Sequence, residues 1–575
     1  MSVRAHPPHP NIKQAETLTR GGPSLTSTGD FDTAYSLGVR KYLRTYGLTP
    51  PSVESFETQA RRCLLQLAGK TTALEKYTYL SHIRNSNPHL FYRLAIDHMK
   101  EITPIVYTPV VGEACQQWSD IYRQPEGLYI SYADRGNIYS VLQNWPAEHA
   151  EITVITDGSR ILGLGDLGIN GMGIPIGKLA LYTACAGIRP GSTLPITMDL
   201  GTNNKALLEN PLYMGTRMER ITGEREMEFM DELMAALTEK WPGIVIQFED
   251  LKDPFPPLRR YRDTYTCFND DIQGTGAVIL AGFINAVKRS KVPAKDHRVV
   301  FVGAGSAAVG VGREIEEFFL KEGISEDDAR QSLWYFDGLV TSDRGDKFEA
   351  HLQHFARDDN NGQQFKTLSE VVEYVKPTML IGLSTVGGIF DKNVLSRMGQ
   401  LNEHPIIFPL SNPSANSECT FEEALKYTDG RAIFASGSPY EPTECNGILR
   451  YPGQGNNMFI FPGLGLGTIL CKAVIVSDEM TYAAGAALST ALTPSEIDAG
   501  RLYPEIERIR EVSVVVARGV IRAAQKAGLD RQLAIREVDD ATLDEYIQER
   551  MYDPGREEAA LVNEIVGLVK DLKRF

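Results

Sequence analysis

Apolar and polar positions follow a helical spacing in the first part of the chain and a strand-like pattern after residue 126. From about Asp32 to Glu126, apolar residues recur at intervals of three to four in FETQARRCLLQLAGK, LEKYTYLSHIRN and HLFYRLAIDHMKEI, which predicts helices. From Gly127 onward, the short runs GLYISYAD, ITVITDG and RILGLGDLG predict strands. The next pattern, GIPIGKLALYTACAGI, predicts a helix that Pro175 opens and that ends near Gly187.

A glycine-rich turn further along the chain fits a dinucleotide-binding fingerprint. The run GAGSAA, from Gly303 to Ala308, follows the β-rich HRVVFV and opens the helical AAVGVGREIEEFFLKEG. Glycines there let the chain turn tightly beside a pyrophosphate, and the helix N-terminus supplies unpaired N–H groups. An earlier match, GLGDLG from Gly163 to Gly168, fails because further glycines and Pro175 follow it instead of a helix. A helix capped by chance glycines is the alternative for the accepted match.

Strands and helices alternate after this turn. Strand-like SLWYFD, TMLIGLS, PIIFPLSNP and AIFASG are interleaved with helix-like LSEVVEYV and TFEEALKYT, which predicts a doubly wound parallel sheet. Its ligands should lie beyond the carboxyl ends of the strands, so Asn412 and Gly437-Ser438 should face the cleft. Asparagine before proline is also an ordinary turn signal. Asp337 stands where an acid would bind a ribose hydroxyl, although the spacing from Gly303 is 337 minus 303, or 34, residues against about 20 in the standard pattern.

Two pairs of adjacent carboxylates lie in the stretch IQFEDLKDPFPPLRRYRDTYTCFNDDIQGTG, which begins at Ile246. Glu249-Asp250 and Asp270-Asp271 each end a short apolar run. Carboxylates that leave water need a cation, and oxygen donors suit Mg²⁺ or Mn²⁺. The alternative is that both pairs are surface acids, balanced by the nearby arginines at positions 259, 260 and 262. The strand must end at Glu249 for both acids of the first pair to share an ion.

Tyr107 and Lys178 are candidate proton-transfer residues. Tyr107, in PIVYTPVVGEAC, lies between a β-branched run and a proline; an aromatic residue there is most often part of a core. Lys178 is expected in the first turn of its helix among apolar neighbours, where the helix dipole disfavours its charge. A lysine in such a place titrates lower and acts as a base, whereas a lysine that extends to the surface is the commoner case.

Composition fits a globular chain of several domains. The 575 residues are 42% hydrophobic and 23% charged, and the length predicts two to four domains. The balance of 59 basic and 74 acidic residues gives a net charge of −15, which argues against nucleic acid or an anionic membrane as partner. The seven scattered cysteines favour a reducing compartment, so a cytoplasmic location is expected, with the mitochondrial matrix as the alternative. No apolar run is long enough to span a membrane.

Several stretches together resemble the decarboxylating malic enzymes, from about residue 35 onward. The stretches that carry the resemblance are LEKYTYLSHIRN, LFYRL, PIVYTPVVGEAC, TDGSRILGLGDLGINGMGIPIGKLALYTACAGIRP, IQFED, CFNDDIQGTGAV, FVGAGSAAVG, PLSNPSANSECT, FASGSP and PGQGNNMFIFPG. Their number and length make chance similarity a poor explanation. The resemblance implies oxidative decarboxylation of L-malate to pyruvate and CO2 with reduction of NAD or NADP.

The resemblance also implies a role for individual residues. Lys178 would take the proton from the substrate hydroxyl with support from Asp270, and Tyr107 would protonate the enolate. Mn²⁺ or Mg²⁺ would be held by Glu249, Asp250 and Asp271. Malate would be bound by Arg160, Asn412, Asn456 and Asn457. The dinucleotide would lie against Gly303, Gly305, Ser306, Ala307, Ala308 and Asp337, and would also contact Arg160 and Asn412.

The chemistry explains these residue types. Hydride leaves C2 of malate as its hydroxyl loses a proton, so a neutral base must reach that oxygen. A divalent ion stabilises the enolate that forms when CO2 leaves. Arginine binds a carboxylate with two parallel hydrogen bonds.

Departures from the family pattern leave some properties open. The loop GLVTSDRGDKFEAH after Asp337, where the family usually distinguishes NADP from NAD, is shorter than in the animal enzymes. Asp337 favours NAD, whereas Arg344 and Lys347 would suit the 2′-phosphate of NADP. Arg62 and Arg84 resemble the arginines of a fumarate-type effector site, but the insertion NSNPH follows Arg84. A homotetramer built as a dimer of dimers is implied.

Two rival functions are a malolactic enzyme, which retains its NAD and releases lactate, and a catalytically silent dinucleotide-binding protein. The complete set of Tyr107, Lys178, Asp270 and Asp271 argues against the silent protein.

The predicted architecture is α/β and multidomain, with a Rossmann-type doubly wound dinucleotide-binding domain, a second α/β catalytic domain and a helical N-terminal region. The predicted boundaries are 1–30 for a disordered tail, 31–125 for the helical domain, 126–272 for the catalytic domain completed by 458–530, 273–457 for the Rossmann-type domain and 531–575 for a helical tail.

Overall fold

The structure, a computed structural model, describes residues 33–42, 45–337, 350–360, 362–412 and 414–556. The predicted tail 1–30, as well as Arg344 and Lys347, lie outside the described residues. The described chain forms two compact units, of which the first holds the residues through Ile161, Asp166–Ile244 and those from Arg550, and the second holds Leu162–Gly165 and Val245–Glu549. In the described ranges, no helix has the length and hydropathy that a bilayer crossing requires.

The first unit begins with the helices that the apolar periodicity predicts. Ser55 and Thr72 start two of them, because their hydroxyl oxygens accept backbone N–H groups of the first turn. Pro88 opens another at the first helical position, where its missing N–H has no cost. The helices of this unit are α1 (Leu37–Tyr42), α2 (Phe56–Ala68), α3 (Ala73–Ser86), α4 (Pro88–Asp97), α5 (Met99–Val106), α6 (Val110–Gln116), α7 (Trp118–Ile121), α8 (Ile138–Leu142), α9 (Gly173–Ala186), α10 (Lys205–Glu209) and α11 (Glu224–Lys240).

Three parallel strands form the sheet of the first unit. They are β1 (Leu128–Ser131), β2 (Ile152–Thr156) and β3 (Thr193–Asp199), in the order β1-β3-β2. Helix α9 packs against β2 and β3 and is buried along its whole length, as its nearly continuous apolar sequence requires.

Two local predictions for the chain that follows β2 are wrong. Helix α9 begins at Gly173 rather than at Pro175, because a proline anywhere in the first turn removes only an N–H that has no helical partner. Lys178 is therefore two residues further into the helix than expected, in its second turn. The stretch RILGLGDLG is a turn and not a strand; Leu162 and Gly165 have φ angles of 48° and 83°, in the left-handed region, which interrupts an extended chain.

The second unit contains the remaining elements. Its strands are β4 (Val245–Phe248), β5 (Cys267–Asn269), β6 (Val299–Val302), β7 (Leu333–Phe336), β8 (Met379–Gly382), β9 (Ile406–Pro409), β10 (Ile433–Ser436), β11 (Thr443–Cys445), β12 (Ile448–Arg450) and β13 (Gly453–Gln454). Its helices are α12 (Phe255–Tyr261), α13 (Thr275–Ser290), α14 (Ser306–Lys321), α15 (Glu326–Gln331), α16 (Leu368–Val375), α17 (Lys392–Leu401), α18 (Phe421–Tyr427), α19 (Phe461–Cys471), α20 (Asp478–Ser489), α21 (Pro494–Asp498), α22 (Ile509–Lys526) and α23 (Asp540–Arg550).

Six strands of the second unit form one parallel sheet in the order β13-β10-β9-β8-β6-β7. The chain runs from β6 to β7 on one side and to β8 on the other, so the strand order reverses at β6. Ligands bind at such a reversal, beyond the carboxyl ends of the strands. Side chains such as Val300, Leu380, Ile407 and Phe434 form a fully apolar core beneath the helices. The predicted fold class, a multidomain α/β protein with a doubly wound sheet and a helical N-terminal region, is confirmed.

Candidate active site

Both acid pairs follow neighbouring parallel strands of the second unit. β4 ends at Phe248, which pairs with Asn269 at the end of β5, so the residues after each strand leave the same edge. Asp250 has a φ of 54°, in the left-handed region where aspartate is tolerated, and the chain turns away after it. The strand thus ends one residue before Glu249, so both acids of the pair can face the same ion. Carboxylate oxygens of Glu249, Asp250 and Asp271 lie within 4.8 Å of one another.

The burial and chemistry of this cluster fit a hard divalent cation. Glu249 and Asp250 are only 3% and 6% exposed, which rules out the surface-acid alternative for them. Gln247 Nε2 donates to Glu249 Oε2 at 2.8 Å, and the Asp250 N–H donates to Asp271 Oδ2 at 2.9 Å. These bonds orient two of the three carboxylates. Three converging carboxylates in a largely buried place could hold a cation, and oxygen-only donors match Mg²⁺ or Mn²⁺.

Asp270 stands apart from the cation cluster. Its side chain is fully buried, and Asn457 Nδ2 donates to Asp270 Oδ2 at 3.0 Å while also lying 3.0 Å from Thr275 Oγ1. Asn456, the preceding residue, caps a short 3-10 turn through its Oδ1, which accepts the Met458 N–H at 3.0 Å. The two predicted substrate asparagines are thus held in fixed orientations by different contacts.

Tyr107 and Lys178 meet in the first unit. Tyr107 follows α5 directly, and the Lys178 ammonium nitrogen lies 5.4 Å from the centre of the Tyr107 ring. Lys178 is 2% exposed and Tyr107 6%, so the surface-lysine alternative does not hold. A Cβ at Gly177 would lie 2.8 Å from Tyr107 Cδ2, so glycine there is what lets α9 approach the ring. A candidate base and a candidate acid are therefore adjacent in a protected place.

The accepted glycine fingerprint has the predicted strand, turn and helix. Gly303 follows β6 with a φ of 107°, and a Cβ on it would lie 2.4 Å from the Leu383 carbonyl oxygen, so only glycine fits there. A Cβ at Gly305 would point into open space, which leaves room for a ligand beside the N-terminus of α14. The Gly303 N–H donates to the Phe336 carbonyl at 2.9 Å, and this bond places Asp337, directly after β7, beside the turn. The residues Ser306, Ala307 and Ala308 form the first turn of α14.

Asn412 and Glu418 organise the loops after neighbouring strands of the six-stranded sheet. Ser438 Oγ donates to Asn412 Oδ1 at 2.6 Å, which fixes the orientation of that amide. The fully buried Glu418 accepts the Ser384 N–H at 3.0 Å and the hydroxyls of Ser384 and Ser411 at 2.8 and 2.5 Å, all through Oε1. Since Ser384 follows β8 and Ser411 follows β9, one carboxylate ties together two loops at the ligand-binding edge.

The remaining predicted arginines lie in three different environments. Arg160 is exposed in the turn after β2. Arg62 is about half exposed and forms an ion pair with Glu54; its hydrogen bond lowers the pKa of Glu54 to about 2. Arg84 is largely buried and pairs with Glu126 at 2.8 Å. The two predicted effector arginines are thus each engaged by their own carboxylate.

Sequence reasoning missed several polar residues that hold these groups. Gln247 was visible as a polar position in an apolar strand, two residues before Glu249 and hence on the same face. Asn269, whose Oδ1 accepts the Ile272 N–H at 3.0 Å, begins the turn that contains Asp271. Glu418 and Arg220 gave no local signal, because their partners are distant in sequence.

Comparison with known proteins identifies the family. Models of the malic enzyme N-terminal domain and of the malic enzyme NAD binding domain match residues 84–262 and 272–525. An NADP-dependent malic enzyme from Dictyostelium discoideum is 48% identical over 501 residues, which cover 86% of this chain and 92% of that protein. The chain belongs to the malic enzyme family. The predicted family resemblance is confirmed.

The names of other similar malic enzymes specify different coenzymes. The NADP-dependent malic enzyme of Rattus norvegicus is 42% identical over 91% of each chain. The NAD-dependent malic enzyme of Idiomarina loihiensis is also 42% identical, over 95% of this chain and 98% of its own. Among solved structures, a malic enzyme from Pyrococcus horikoshii has a TM-score of 0.55 at 23% identity, covering 81% of this chain and 92% of that one. That likeness concerns the fold.

Proposed function

We infer that the chain is an NAD(P)-dependent malate-decarboxylating oxidoreductase, which converts L-malate to pyruvate and CO2. The observation that carries this inference is the buried convergence of Glu249, Asp250 and Asp271 in a chain of the malic enzyme family. A cation site of this kind is what decarboxylation of a β-keto acid needs.

Lys178 is the base of the oxidation step. Its Nζ takes the proton from the C2 hydroxyl of malate as hydride leaves C2. A neutral amine is required for this, and burial, which penalises the charged ammonium, favours one. Asp270 is assigned to support the lysine, as the family resemblance implies.

Tyr107 is the acid of the last step. After CO2 leaves, its Oη donates a proton to C3 of the enolate, and pyruvate forms. The adjacent Lys178 ammonium favours loss of that proton, because a nearby positive charge stabilises the phenolate. The proton that the lysine gained therefore helps the tyrosine to act.

The substrate is held by hydrogen-bond donors. Arg160 binds a malate carboxylate through its guanidinium fork, and the amides of Asn412, Asn456 and Asn457 donate without adding charge. Bound Mn²⁺ or Mg²⁺ supplies Lewis-acid stabilisation of the enolate, and bound dinucleotide supplies the hydride acceptor.

The coenzyme assignment favours NAD. Asp337 is exposed directly after β7 and beside the Gly303 turn, where a carboxylate accepts hydrogen bonds from the ribose hydroxyls and repels a 2′-phosphate. NADP is the alternative, since malic enzymes of both names are similar to this chain.

A homotetramer built as a dimer of dimers and a cytoplasmic location complete the proposal, with the mitochondrial matrix as the alternative compartment. Sedimentation velocity with the purified protein tests the assembly, and a species of four chains is expected. A monomer at micromolar concentration would contradict it.

An initial-rate comparison tests the function. The enzyme is mixed with L-malate, Mn²⁺ and either NAD or NADP, and reduced coenzyme is followed by absorbance while pyruvate and lactate are separated and quantified. We expect reduced NAD to accumulate far beyond the enzyme concentration, together with an equal amount of pyruvate. Lactate without accumulation of reduced coenzyme would indicate a malolactic enzyme, and no turnover with either coenzyme would exclude both enzymes.

A further inference from the structure

The segment from Asp157 to Gly168, which lies between β2 and α9 and carries Arg160, is closed by a buried guanidinium. Asp157 begins this segment directly after β2, and Asp166 lies near its end, within the GLGDLG run that fails the dinucleotide context. Arg220, which is distant in sequence from both, is 8% exposed and contacts both acids. The GLGDLG run therefore supplies a carboxylate for Arg220, and not the dinucleotide-binding turn that its glycines would suggest.

Arg220 uses all three guanidinium nitrogens in this contact. Its Nε and Nη2 donate to the two carboxylate oxygens of Asp166 at 3.0 and 2.6 Å. Its Nη1 donates to the Asp157 carbonyl at 2.9 Å and to Asp157 Oδ2 at 3.2 Å. This is the paired geometry that arginine provides and lysine does not.

Asp157 in turn fixes the backbone next to Arg160. Asp157 Oδ1 accepts the Ser159 N–H at 2.9 Å and the Ser159 hydroxyl at 2.6 Å, so the residue before Arg160 is tied to the residue that Arg220 holds. The Gly158 carbonyl accepts the Leu167 N–H at 2.9 Å. A Cβ at Gly158 would lie 1.9 Å from the Gly168 carbonyl oxygen, so the two ends of the segment are in close contact.

Arg220 and Asp166 stabilise each other's charged forms. Burial opposes the charged form of Arg220, but the hydrogen bonds that it donates to Asp166 and the charge of Asp157 raise its pKa above the ordinary value. Burial likewise opposes the ionised form of Asp166, yet its hydrogen bonds with Arg220 and Thr202 and the N–H of Asn203 leave the pKa lowered. The guanidinium and the carboxylate of Asp166 thus hold each other in their charged states.

We propose that Arg220 is a positioning residue for malate binding, which sets the place of Arg160 by clamping Asp157 and Asp166 at the two ends of the segment. The proposal rests on the assignment of Arg160 to a malate carboxylate in the proposed function. Arg220 itself does not need to touch the substrate. Its loss should therefore weaken malate binding much more than dinucleotide binding, because most of the predicted dinucleotide contacts lie in the Gly303 turn and not at Arg160.

Three single variants and one double variant test this. Arg220→Lys keeps the positive charge but loses the fork, and Arg217→Lys is the matched control. Arg217 lies in the same connection between β3 and α11, but it donates to the carbonyls of Leu208, Asn210 and Tyr213 instead. Arg160→Gln measures the direct contribution of the substrate arginine, alone and combined with Arg220→Lys. Steady-state KM and kcat are measured with malate, and reduced-dinucleotide affinity is measured by fluorescence titration.

We expect Arg220→Lys to raise the KM for malate about tenfold, since small displacements of a binding group have large effects. The changes in kcat and in the dinucleotide Kd should be much smaller. Arg217→Lys should stay close to the wild-type enzyme. The double variant should be little worse than Arg160→Gln, because both changes remove the same contact.

Other results would overturn the proposal in distinguishable ways. An unchanged KM in Arg220→Lys, together with a raised KM in Arg160→Gln, would remove Arg220 from the binding of malate and leave the proposed function intact. An unchanged KM in Arg160→Gln would remove the assignment on which the proposal rests. An equal loss of malate and dinucleotide binding in Arg220→Lys would show a general structural role.

Discussion

The ammonium nitrogen of Lys178 lies 5.4 Å from the centre of the Tyr107 ring. A cation at this distance from a ring interacts with its π face. The ring therefore stabilises the protonated lysine whether or not it carries a hydroxyl group. Removing the hydroxyl alone therefore tests proton donation without disturbing this contact.

Tyr107→Phe should slow pyruvate formation more than it weakens malate binding. The ring and its packing against Gly177 are retained, and only the proton donor is lost. A decrease in kcat of about 100-fold is expected for the loss of a general acid, with a KM for malate within a few-fold of the wild-type value. Tyr129→Phe is the control, because the Tyr129 hydroxyl has a structural contact, in which it accepts a hydrogen bond from Trp118 Nε1 at 2.9 Å. An unchanged kcat would refute the acid role of Tyr107.

Lys178→Ala should abolish malate oxidation and leave dinucleotide binding nearly intact. The side chain supplies the base, and loss of a general base lowers the rate by about 10² to 10⁴-fold. Single-turnover formation of reduced coenzyme measures the oxidation step directly, and fluorescence titration measures binding. Lys240→Met is the control, since Lys240 donates to the Leu142 carbonyl at 2.7 Å elsewhere in the same unit. Full oxidation by Lys178→Ala would remove the lysine from the mechanism.

Local sequence signals predicted the parts of the site that short segments determine. The GAGSAA turn between β6 and α14 needs only its own glycines and the flanking apolar runs, and the turn after Asp250 follows from Lys252-Asp253-Pro254. Parallel pairing of β4 and β5 then brings the acids together. RILGLGDLG was misread because its apolar residues alternate as in a strand, while its glycines and a left-handed Leu162 make a turn.

Contacts between distant segments could not be predicted in this way. Arg220 binds acids 54 and 63 residues before it, and Glu418 binds Ser384, 34 residues earlier. Each of these charged residues occupies an ordinary-looking position in the sequence. Their burial and their partners depend on how whole strands and loops are packed, and the apolar periodicity contains no information about that arrangement.

Asp250→Asn should raise the Mn²⁺ concentration needed for half-maximal activity more than tenfold. Even changes to residues that only support metal ligands weaken metal binding by about 10- to 100-fold, and here one of three carboxylates loses its charge. Direct Mn²⁺ binding by electron paramagnetic resonance, without malate or coenzyme, should show the same loss. Asp253→Asn, an exposed acid three residues later, is the control. Equal Mn²⁺ affinity in the two variants would contradict the assigned cation site.

Glu418→Gln should weaken dinucleotide binding about tenfold. A glutamine amide has one acceptor oxygen where the carboxylate has two. Its NH2 group would therefore face the N–H of either Ser384 or Ser411, which would lose its acceptor. An unsatisfied buried donor costs about 1–3 kcal/mol. The loops after β8 and β9 should then lose their fixed spacing. Fluorescence titration with reduced coenzyme measures the effect, with the exposed Glu422→Gln as the control. Wild-type affinity in Glu418→Gln would show that the loops keep their positions without this carboxylate.

Glu314 should make the stability of the protein depend on pH. This side chain of α14 is 8% exposed, and Thr481 Oγ1 of α20 donates to its Oε1 at 3.1 Å. Burial raises the pKa of Glu314 from 4.5 to about 8, against the effect of the Thr481 bond. Between these pH values the folded chain keeps a proton that the unfolded chain releases, so the free energy of unfolding falls as pH rises, by at most about 1.4 kcal/mol per pH unit.

Glu314→Gln isolates this effect, because the amide keeps the shape and accepts the Thr481 hydroxyl but does not titrate. Urea unfolding between pH 5 and pH 9 should show a flatter pH dependence for this variant than for the wild-type protein. The unfolding free energy of the variant minus that of the wild-type protein should increase with pH up to about pH 8. Above that pH the difference should stay constant, because the wild-type carboxyl is then ionised in both the folded and the unfolded chain. Glu322→Gln, at an exposed position after the same helix, should follow the wild-type curve. Parallel curves for the Glu314 variant and the wild-type protein would show that the buried carboxyl does not hold its proton near neutral pH.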